Sequence, residues 1–521
     1  MKMLSCVLLI CVSFMASAQN SNDLIVKTAN GTLEGTMEGD IRTFKGIPFA
    51  QPPVGDLRWK EPQPVQNWQG VRKADHFGPR AMQRLLYADM IFHSDGMSED
   101  CLYLNVWAPA KSAGEHLPVL VYFYGGGLIT GDGSEFRYAG EAFAKKGIIA
   151  ITVNYRLGLF GFMAHPGLTA ESKHHSSGNY GLMDQTEALR WVQKNIAGFG
   201  GDPKKVTIGG ESAGSFSVSA QMASPLAKGL FAGAIGESGS LLASKSTVAL
   251  KDGEDYGTKF MASVGASSLE DLRKLPADKL LEATAKPEGS HFSVMVDGYF
   301  FPEAPAKIFG EGKQASVPLL VGWNSAEADY TALLPRRTEV TVDNYKKALQ
   351  TAYGDHADEV FKVYPATTPD EVRAVATDLA SDRMIAYGTW LWASLHAATG
   401  HKPVYHYIFD HPRPPAVTDV NKPLPTTKQG ARHSWEIEYA LGNLATNKVY
   451  AWTADDYKIS DIMNTYFANF IKTGNPNGNG LPKWDELQKP NPTTMWIDVN
   501  TRPEPFKDTQ RYQVLKSLDN L

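Results

Sequence analysis

The sequence predicts an α/β protein in which helices flank a central, mostly parallel β-sheet. Two apolar runs, 117–124 (LPVLVYFY) and 148–155 (IIAITVNY), lack polar alternation and are typical of strands buried on both faces. Segment 184–196 has apolar residues at the spacing of one helix face. Directly after it, 205–223 (KVTIGGESAGSFSVSAQMA) has the pattern of a strand, an abrupt turn and a helix. This alternation favours parallel strands joined by helices.

The rest of the chain adds a small sheet and a helical region to this core. Between 24 and 49, short β-prone runs broken by glycines predict a small antiparallel N-terminal sheet. After about residue 250 the pattern is mainly helical, and 317–322 and 403–410 resemble strands. We expect helices at 269–284, 342–354 and 368–399, the last starting at Thr368-Pro369. These helices are predicted to be insertions at one edge of the sheet.

The N-terminus has the pattern of a secretory signal. Lys2 precedes an apolar run from Met3 to Met15, and Ala16-Ser17-Ala18 provides a small-residue cleavage site. We therefore expect cleavage after Ala18, a secreted or periplasmic protein, and one domain over 19–521. A lipoprotein signal ending at Cys11 is the alternative, although Ile10 is bulky for such a site. Of the three cysteines in the sequence, only Cys101 would remain after cleavage, so no internal disulfide is expected.

Composition narrows the possible partners. The 521 residues are 43% hydrophobic and 21% charged, as in a globular protein with a large core. The net charge is −5 and no long basic run is present, which argues against nucleic acid or an anionic membrane as a partner. No run after the signal is long and apolar enough to predict stable membrane insertion.

The segment Gly210-Glu211-Ser212-Ala213-Gly214 lies between the predicted strand and helix. A serine hydroxyl needs exposure, a rigid position and a neighbouring base to act as a nucleophile. A sharp strand-to-helix turn gives the exposure, and it brings the residues on either side so close that only small ones fit. Ser212 is therefore the predicted nucleophile.

Such a serine needs oxyanion donors, a base and an acid. The Ala213 N–H at the helix start and the backbone of Gly125-Gly126-Gly127, after a central strand, are candidate donors. In this arrangement the acid and then the histidine follow the serine. His433, in a glycine-led loop, is favoured over the downstream histidines predicted to be structural, which are His291, His396, His401, His406 and His411. Glu327 and Asp329 both follow the strand-like 317–322, and this local pattern does not distinguish them.

Several long motifs occur in order over nearly the whole mature chain: 44–59 (FKGIPFAQPPVGDLRW), 97–107 (MSEDCLYLNVW), 124–127 (YGGG), 153–162 (VNYRLGLFGF), 178–203 (GNYGLMDQTEALRWVQKNIAGFGGDP), 209–215 (GGESAGS), 433–443 (HSWEIEYALGN) and 470–477 (FIKTGNPN). These motifs resemble the type-B carboxylesterase family of α/β-hydrolases, which includes acetylcholinesterase. The glycine placement in 132–147 is most similar to secreted bacterial members. The resemblance implies an α/β-hydrolase fold with helical insertions over the active site. It implies hydrolysis of small-molecule carboxylic esters with neither metal nor organic cofactor.

Matched residue by residue, the resemblance implies a Ser212, Glu327 and His433 triad. The implied oxyanion hole comprises Gly126, Gly127 and Ala213, and Glu211 and Ser238 match residues beside the triad. Ser238 has a packing role as its alternative. The family also contains adhesion proteins without catalytic residues, but retention of the triad favours an enzyme.

The chain departs from the family pattern at three places. Ala326-Glu327-Ala328 replaces an Asp-Glu-Gly sequence around the acid, and Leu128 stands where an aromatic residue often follows the glycines. Ala81 replaces the cysteine that often pairs with Cys101, so that bridge is absent. Aromatic and apolar residues next to the motifs are candidates for an apolar substrate pocket: Tyr124, Leu128, Phe216, Trp323 and Trp435. Each has a core position as its alternative. The natural ester and a monomeric or dimeric state stay open.

Overall fold

The computed structural model describes residues 24–109, 114–286, 292–419, 430–488, 492–506 and 509–519. The predicted signal at 1–18 and His291 lie outside these ranges. The described strands are β1 Ile25–Lys27, β2 Thr32–Glu34, β3 Thr36–Glu38, β4 Ile41–Pro48, β5 Val71–Lys73, β6 Arg80–Ala81, β7 Met97–Ser98, β8 Tyr103–Pro109, β9 Leu117–Phe123, β10 Ile149–Val153, β11 Gly201–Glu211, β12 Gly233–Glu237, β13 Val248–Ala249, β14 Met295–Val296, β15 Leu319–Asn324, β16 Val404–Phe409, β17 Thr493–Ile497 and β18 Arg502–Pro505.

The helices lie between and around these strands. They are α1 Glu141–Lys145, α2 Gly158–Phe162, α3 Pro166–Glu171, α4 Tyr180–Asn195, α5 Ala213–Ala223, α6 Leu250–Ser263, α7 Leu269–Lys274, α8 Ala277–Ala283, α9 Pro305–Gly310, α10 Val342–Tyr353, α11 Ala357–Val363, α12 Pro369–Ser381, α13 Tyr387–Thr399, α14 Ile437–Leu441, α15 Ala454–Thr473 and α16 Thr509–Leu518. Among the described residues, none of these helices is both long and apolar enough to cross a bilayer.

One large sheet organises the described chain. Its eleven strands have the order β18-β17-β16-β15-β12-β11-β9-β10-β8-β4-β3. The seven strands from β17 to β10 are mutually parallel, and the outer pairs are antiparallel. All five residues of β10 are buried, as expected for an apolar run covered on both faces. The predicted α/β class with a mostly parallel sheet is confirmed.

The small N-terminal sheet differs in detail from its prediction. Strands β1 and β2 pair antiparallel, but β5 joins β2 in parallel, so the sheet is mixed. Strands β3 and β4 lie within the same predicted segment but extend the large sheet instead. Six of the eight β4 residues are buried, and β4 pairs antiparallel with β8 inside the large sheet.

The helical region follows most of its sequence signals, but the helix predicted over 269–284 is divided into α7 and α8 before and after Pro276. Thr368 caps α12, with its Oγ1 accepting a hydrogen bond from the Glu371 N–H at 3.2 Å, and Pro369 occupies the first turn. A π-helical turn, Asp382–Ala386, joins α12 to α13 and makes 369–399 almost continuous. The helix predicted over 368–399 is therefore confirmed, with Thr368 as its cap.

The parallel strands bring several polar residues to one edge of the sheet. Residues that follow β9, β11, β12 and β15 all lie at the carboxyl ends of adjacent strands. In open α/β sheets this edge is where ligands bind. Gly126, Ser212, Ser238 and Glu327 follow these four strands, whereas His433 lies in the chain after β16.

Candidate active site

Ser212 occupies a strained turn between β11 and α5. Its φ of 55° and ψ of −119° are unfavourable for a residue with a side chain. A Cβ added to Gly214 would lie 2.0 Å from the Phe123 carbonyl oxygen, and one added to Gly210 would lie 2.5 Å from the Gly214 carbonyl carbon. The backbone approach therefore requires glycine on both sides, for the reason anticipated from the sequence.

His433 contacts both Ser212 and Glu327. Its Nε2 lies 2.9 Å from Ser212 Oγ, and its Nδ1 lies 2.6 Å from Glu327 Oε2. The Glu327 carboxyl group is buried, whereas Asp329 is exposed and accepts a hydrogen bond from the Thr331 N–H. Of the two acids that the local pattern left equivalent, the structure therefore places Glu327 against the imidazole.

The second oxygen of Glu327 is held by residues of two strand ends. Glu327 Oε1 accepts hydrogen bonds of 2.6 Å from the Asn324 N–H and from Ser238 Oγ. Ser238 Oγ also lies 2.9 Å from Oε1 of Glu436. Asn324 and Glu436 were not singled out in the sequence. The available signal for Glu436 was its position three residues after His433.

Burial and nearby charge shape the ionisation of this site. Burial raises the pKa of Glu211 well above its usual value, and the neighbouring His433 opposes this shift. Its Oε1 lies 3.3 Å from His433 Nε2. Burial lowers the pKa of His433, but the charges of Glu211 and Glu327, when these groups are ionised, more than offset this and raise the pKa above its usual value. A histidine so placed is a stronger base than free imidazole.

The glycine loop after β9 and the start of α5 both lie beside Ser212. Ala213 is the first residue of α5, and its N–H has no partner within the helix. Gly126 has a φ of 107°, and a Cβ there would lie 2.2 Å from the Thr130 carbonyl oxygen. Gly125 packs directly on the nucleophile turn, since its added Cβ would lie 3.2 Å from the Ser212 Cβ. The glycine loop therefore lies next to the serine, as oxyanion donors must.

Two of the five candidate pocket residues belong to the core. The Tyr124 ring stacks on Tyr155 with ring centres 4.5 Å apart, and Tyr124 is 1% exposed. The Trp323 ring packs against His406 and Tyr512 and is 4% exposed. The core positions considered as alternatives for these two residues therefore fit the structure better than a pocket lining.

The other three pocket candidates lie nearer the site. Leu128 follows the glycine loop with a φ of 60° and is 8% exposed. Phe216 is half-buried on α5, one turn after Ser212, whose carbonyl accepts the Phe216 N–H. Trp435 is half-buried two residues after His433. A pocket role for these three stays a prediction.

Tyr87 is a neighbour of the glycine loop that the sequence did not reveal. Its hydroxyl would lie 3.8 Å from a Cβ on Gly127, and the residue is 48% exposed. Its loop is tied to the segment after the glycines, because Gln83 hydrogen-bonds to Thr130 and Gly131. Tyr87 therefore lies at the rim of the site.

The departures from the family pattern have local consequences. The backbone N–H of Ala326 donates to the Ala431 carbonyl, and that of Ala328 donates to Ser381 Oγ, so the loop around Glu327 is tied on both sides. Cys101 is a free, buried thiol, as expected with Ala81 in place of a partner cysteine, and both residues line one small cavity. Within the described chain, no cluster of three or more histidine, cysteine or acidic side chains is arranged to hold a metal ion.

Comparisons with known proteins show the family to which the chain is similar. The model of the carboxylesterase family matches residues 22–515. The fumonisin B1 esterase of Sphingopyxis macrogoltabida is 34% identical over 489 residues, which cover 91% of this chain and 86% of that protein. The para-nitrobenzyl esterase of Bacillus subtilis is 33% identical over 512 residues, covering 94% and 98% of the two chains.

Solved structures show the same architecture. The carboxylesterase EST55 of Geobacillus stearothermophilus superposes with a TM-score of 0.80 at 30% identity, over 94% of this chain and 99% of the other. A para-nitrobenzyl esterase structure gives a TM-score of 0.79 at 31% identity, over 95% and 99%. The α/β-hydrolase architecture expected from the sequence is confirmed.

Proposed function

The chain belongs to the carboxylesterase family and is a carboxylic-ester hydrolase, and we propose that Ser212, His433 and Glu327 are its catalytic triad. The observation that carries this assignment is the unbroken chain of contacts from Ser212 Oγ through the imidazole to the buried Glu327 carboxylate. A nucleophile, a base and an orienting acid in this geometry are what acyl transfer needs.

In the proposed reaction Ser212 attacks the ester carbonyl while His433 Nε2 takes the hydroxyl proton. The oxyanion of the tetrahedral intermediate accepts hydrogen bonds from the N–H groups of Gly126, Gly127 and Ala213. His433 then gives the proton to the departing alcohol, which leaves an acyl group on Ser212. Water, activated by the same imidazole, attacks this acyl-enzyme and releases the acid.

Glu327 does not move a proton in this scheme. It keeps the hydrogen of the neutral imidazole on Nδ1, so that Nε2 is free to accept the serine proton, and it stabilises the imidazolium that forms. Leu128, Phe216 and Trp435 are the residues we propose for the apolar walls of the substrate site. The relatives named above act on different esters, so the geometry supports the reaction class and leaves the natural ester open.

The test is hydrolysis of short p-nitrophenyl esters by the purified protein and by Ser212→Ala. We expect turnover by the natural chain and a loss of about a millionfold in kcat when the nucleophile is removed, as in other serine hydrolases. A Ser212→Ala protein that hydrolyses the ester at the unmodified rate would place the chemistry elsewhere.

We further propose that residues 1–18 form a cleaved export signal, on the sequence pattern alone. The mass of the mature protein recovered from its native host tests this proposal. A chain that begins at Gln19 is expected, one that begins at a lipid-modified Cys11 supports the alternative signal, and one that keeps Met1 contradicts export by cleavage.

A further inference from the structure

At the carboxyl edge of the sheet four buried glutamates lie close together, and three of them, Glu211, Glu327 and Glu436, interact with the His433 imidazole. None is more than 4% exposed: Glu211, Glu237, Glu327 and Glu436. Ionised carboxylates repel one another strongly where water is excluded, and each carries a large desolvation cost. Since His433 carries at most one positive charge, we expect several of these carboxyl groups to be protonated, and hydrogen-bond geometry identifies one of them.

Ser238 provides that geometry because it has one hydroxyl hydrogen and two carboxyl neighbours. Its Oγ lies 2.6 Å from Glu327 Oε1 and 2.9 Å from Glu436 Oε1, and Ser238 itself is completely buried. One hydrogen cannot satisfy two anionic acceptors, whereas a protonated carboxyl would donate to the hydroxyl oxygen and remove the conflict.

The other contacts indicate which carboxyl group holds the proton. Glu327 Oε1 accepts from the Asn324 N–H, and its Oε2 faces the His433 ring, so both Glu327 oxygens act as acceptors. Glu436 Oε2 accepts from Asn324 Nδ2 at 2.5 Å, which leaves Oε1, facing Ser238, to carry the hydrogen.

We propose that Glu436 is a positioning residue of the triad that acts in its protonated form. Its Oε1–H donates to Ser238 Oγ, and Ser238 in turn donates to Glu327 Oε1. The relay gives the Glu327 carboxylate a third hydrogen-bond donor beside Asn324 and His433, and it places a neutral group where a second anion would compete for the Ser238 hydrogen. This inference rests on the triad proposed above.

The surroundings of Glu436 favour the neutral form. Its pKa is raised to about 7. Burial is the main cause and the nearby Glu327 charge adds to it, whereas the hydrogen bond from Asn324 lowers the pKa. The ionisable groups that face it from the strands and loops packed around it are Glu211, Glu237, Glu327, Tyr122, Tyr407 and His433. Five of these six carry either no charge or a negative charge, so they do not stabilise an ionised Glu436.

Infrared difference spectroscopy tests the protonation without using activity. At pH 6 the spectrum of the full-length protein minus that of Glu436→Gln should contain the carbonyl band of a protonated carboxylic acid. The matched control is Glu438→Gln, since Glu438 is equally buried but pairs with the Arg413 guanidinium at 2.8 Å. Its difference spectrum should contain a carboxylate band instead. A carboxylate band in the Glu436→Gln difference would overturn the proposal, whatever the fate of the triad assignment.

Kinetics tests whether the neutral group positions the triad. Glutamine can accept from Asn324 and donate to Ser238 as the protonated acid does, whereas alanine leaves both partners unsatisfied. We expect Glu436→Ala to lower kcat about ten- to a hundredfold with KM little changed, and Glu436→Gln to restore most of that loss. The pH dependence of kcat/KM should be fitted with one ionising group fewer for Glu436→Gln than for the natural enzyme.

Each other result counts against the proposal. Equal losses in the glutamine and alanine variants would show that the charge of Glu436 is needed, and no loss in either would show that it positions nothing. Superimposable pH profiles of the natural enzyme and Glu436→Gln would also contradict a titrating Glu436. Should Glu436→Ala fail to fold, the infrared spectrum and the Glu436→Gln profile still decide the matter.

Discussion

Replacing Glu327 by glutamine should cripple turnover because both carboxylate oxygens act as acceptors. Oε1 receives the Asn324 N–H and the Ser238 hydroxyl, and Oε2 faces His433 Nδ1. If the amide oxygen keeps the first two bonds, the NH₂ group faces Nδ1. The imidazole hydrogen then moves to Nε2, which can no longer accept the proton of Ser212. If the amide turns round, its NH₂ group meets two donors.

The expected size of the effect follows from what is lost. The same acid-to-amide change in the serine-protease triad lowers kcat by about ten-thousandfold, chiefly through the wrong imidazole tautomer. At about 1.4 kcal/mol for each factor of ten, a loss of a thousand- to ten-thousandfold corresponds to about 4–5.5 kcal/mol of transition-state stabilisation. We expect a loss of this order in kcat/KM for Glu327→Gln.

Asp329→Asn is the matched control. Asp329 is exposed, two residues away in the same loop, and its side-chain oxygen accepts the Thr331 N–H at 3.0 Å, which asparagine can also do. Initial rates on p-nitrophenyl acetate and the thermal midpoints of both variants provide the measurement. The assignment of the acid would be refuted if Asp329→Asn were inactive while Glu327→Gln kept a rate within tenfold of the natural enzyme.

Further expected outcomes concern proton transfer, packing, the thiol and the substrate rim. The kcat/KM should rise with pH as His433 loses its proton, and the midpoint of the rise should lie above the ordinary imidazole pKa of 6.5 because the pKa of His433 is raised. In Glu327→Gln the midpoint for the residual activity should lie at a lower pH than in the natural enzyme. Equal midpoints in the two proteins would contradict Glu327 as a cause of the raised pKa. Gly214→Ala should destabilise the fold by about 1–3 kcal/mol and abolish turnover because its Cβ meets the Phe123 carbonyl at 2.0 Å, whereas Gly310→Ala, with no neighbour within 4 Å of its added Cβ, should leave the unfolding midpoint in urea unchanged or raised. Burial raises the pKa of the Cys101 thiol well above its usual value, so Cys101 should react with a disulfide reagent only after unfolding, and labelling of the native protein would contradict its burial. Tyr87→Ala should change KM across a series of esters of increasing acyl length while leaving folding intact, and equal KM values throughout the series would remove Tyr87 from the substrate site.

The sequence predicted the parts of the site that depend on local geometry. The turn at Ser212 was predictable because a strand, two glycines and a helix are contiguous in the chain. Glu327 needed the family resemblance, because Asp329 satisfies the same local pattern and their exposures differ only in the folded chain. The rings of Tyr124 and Trp323 were less predictable, since a strand buried on both faces has no polar alternation to show which way a side chain points.

Contacts between distant segments were the main limit of prediction. Ser238 and Glu436 are 198 residues apart in the chain, and no periodicity or spacing relates them. The same reason explains the N-terminal sheet, where β5 pairs with β2 although about 40 residues separate them. Both features escaped prediction for one reason, because each depends on which elements the fold makes neighbours.

The fold uses one turn twice, and the neighbours of each turn determine its role. Strands β11 and β12 pair in register, and each ends in Gly-Glu followed directly by a serine, at 210–212 and 236–238, with serine φ angles of 55° and 56°. Ser212 is half-buried and meets an imidazole, whereas Ser238 is fully buried and meets two glutamates. Carboxyl groups hold the hydrogen of Ser238 within a fixed network, so this serine lacks both the exposure and the base that a nucleophile requires. A strained Gly-Glu-Ser turn is therefore insufficient for catalysis in this chain, and the position of His433 distinguishes the proposed nucleophile from the residue that supports it.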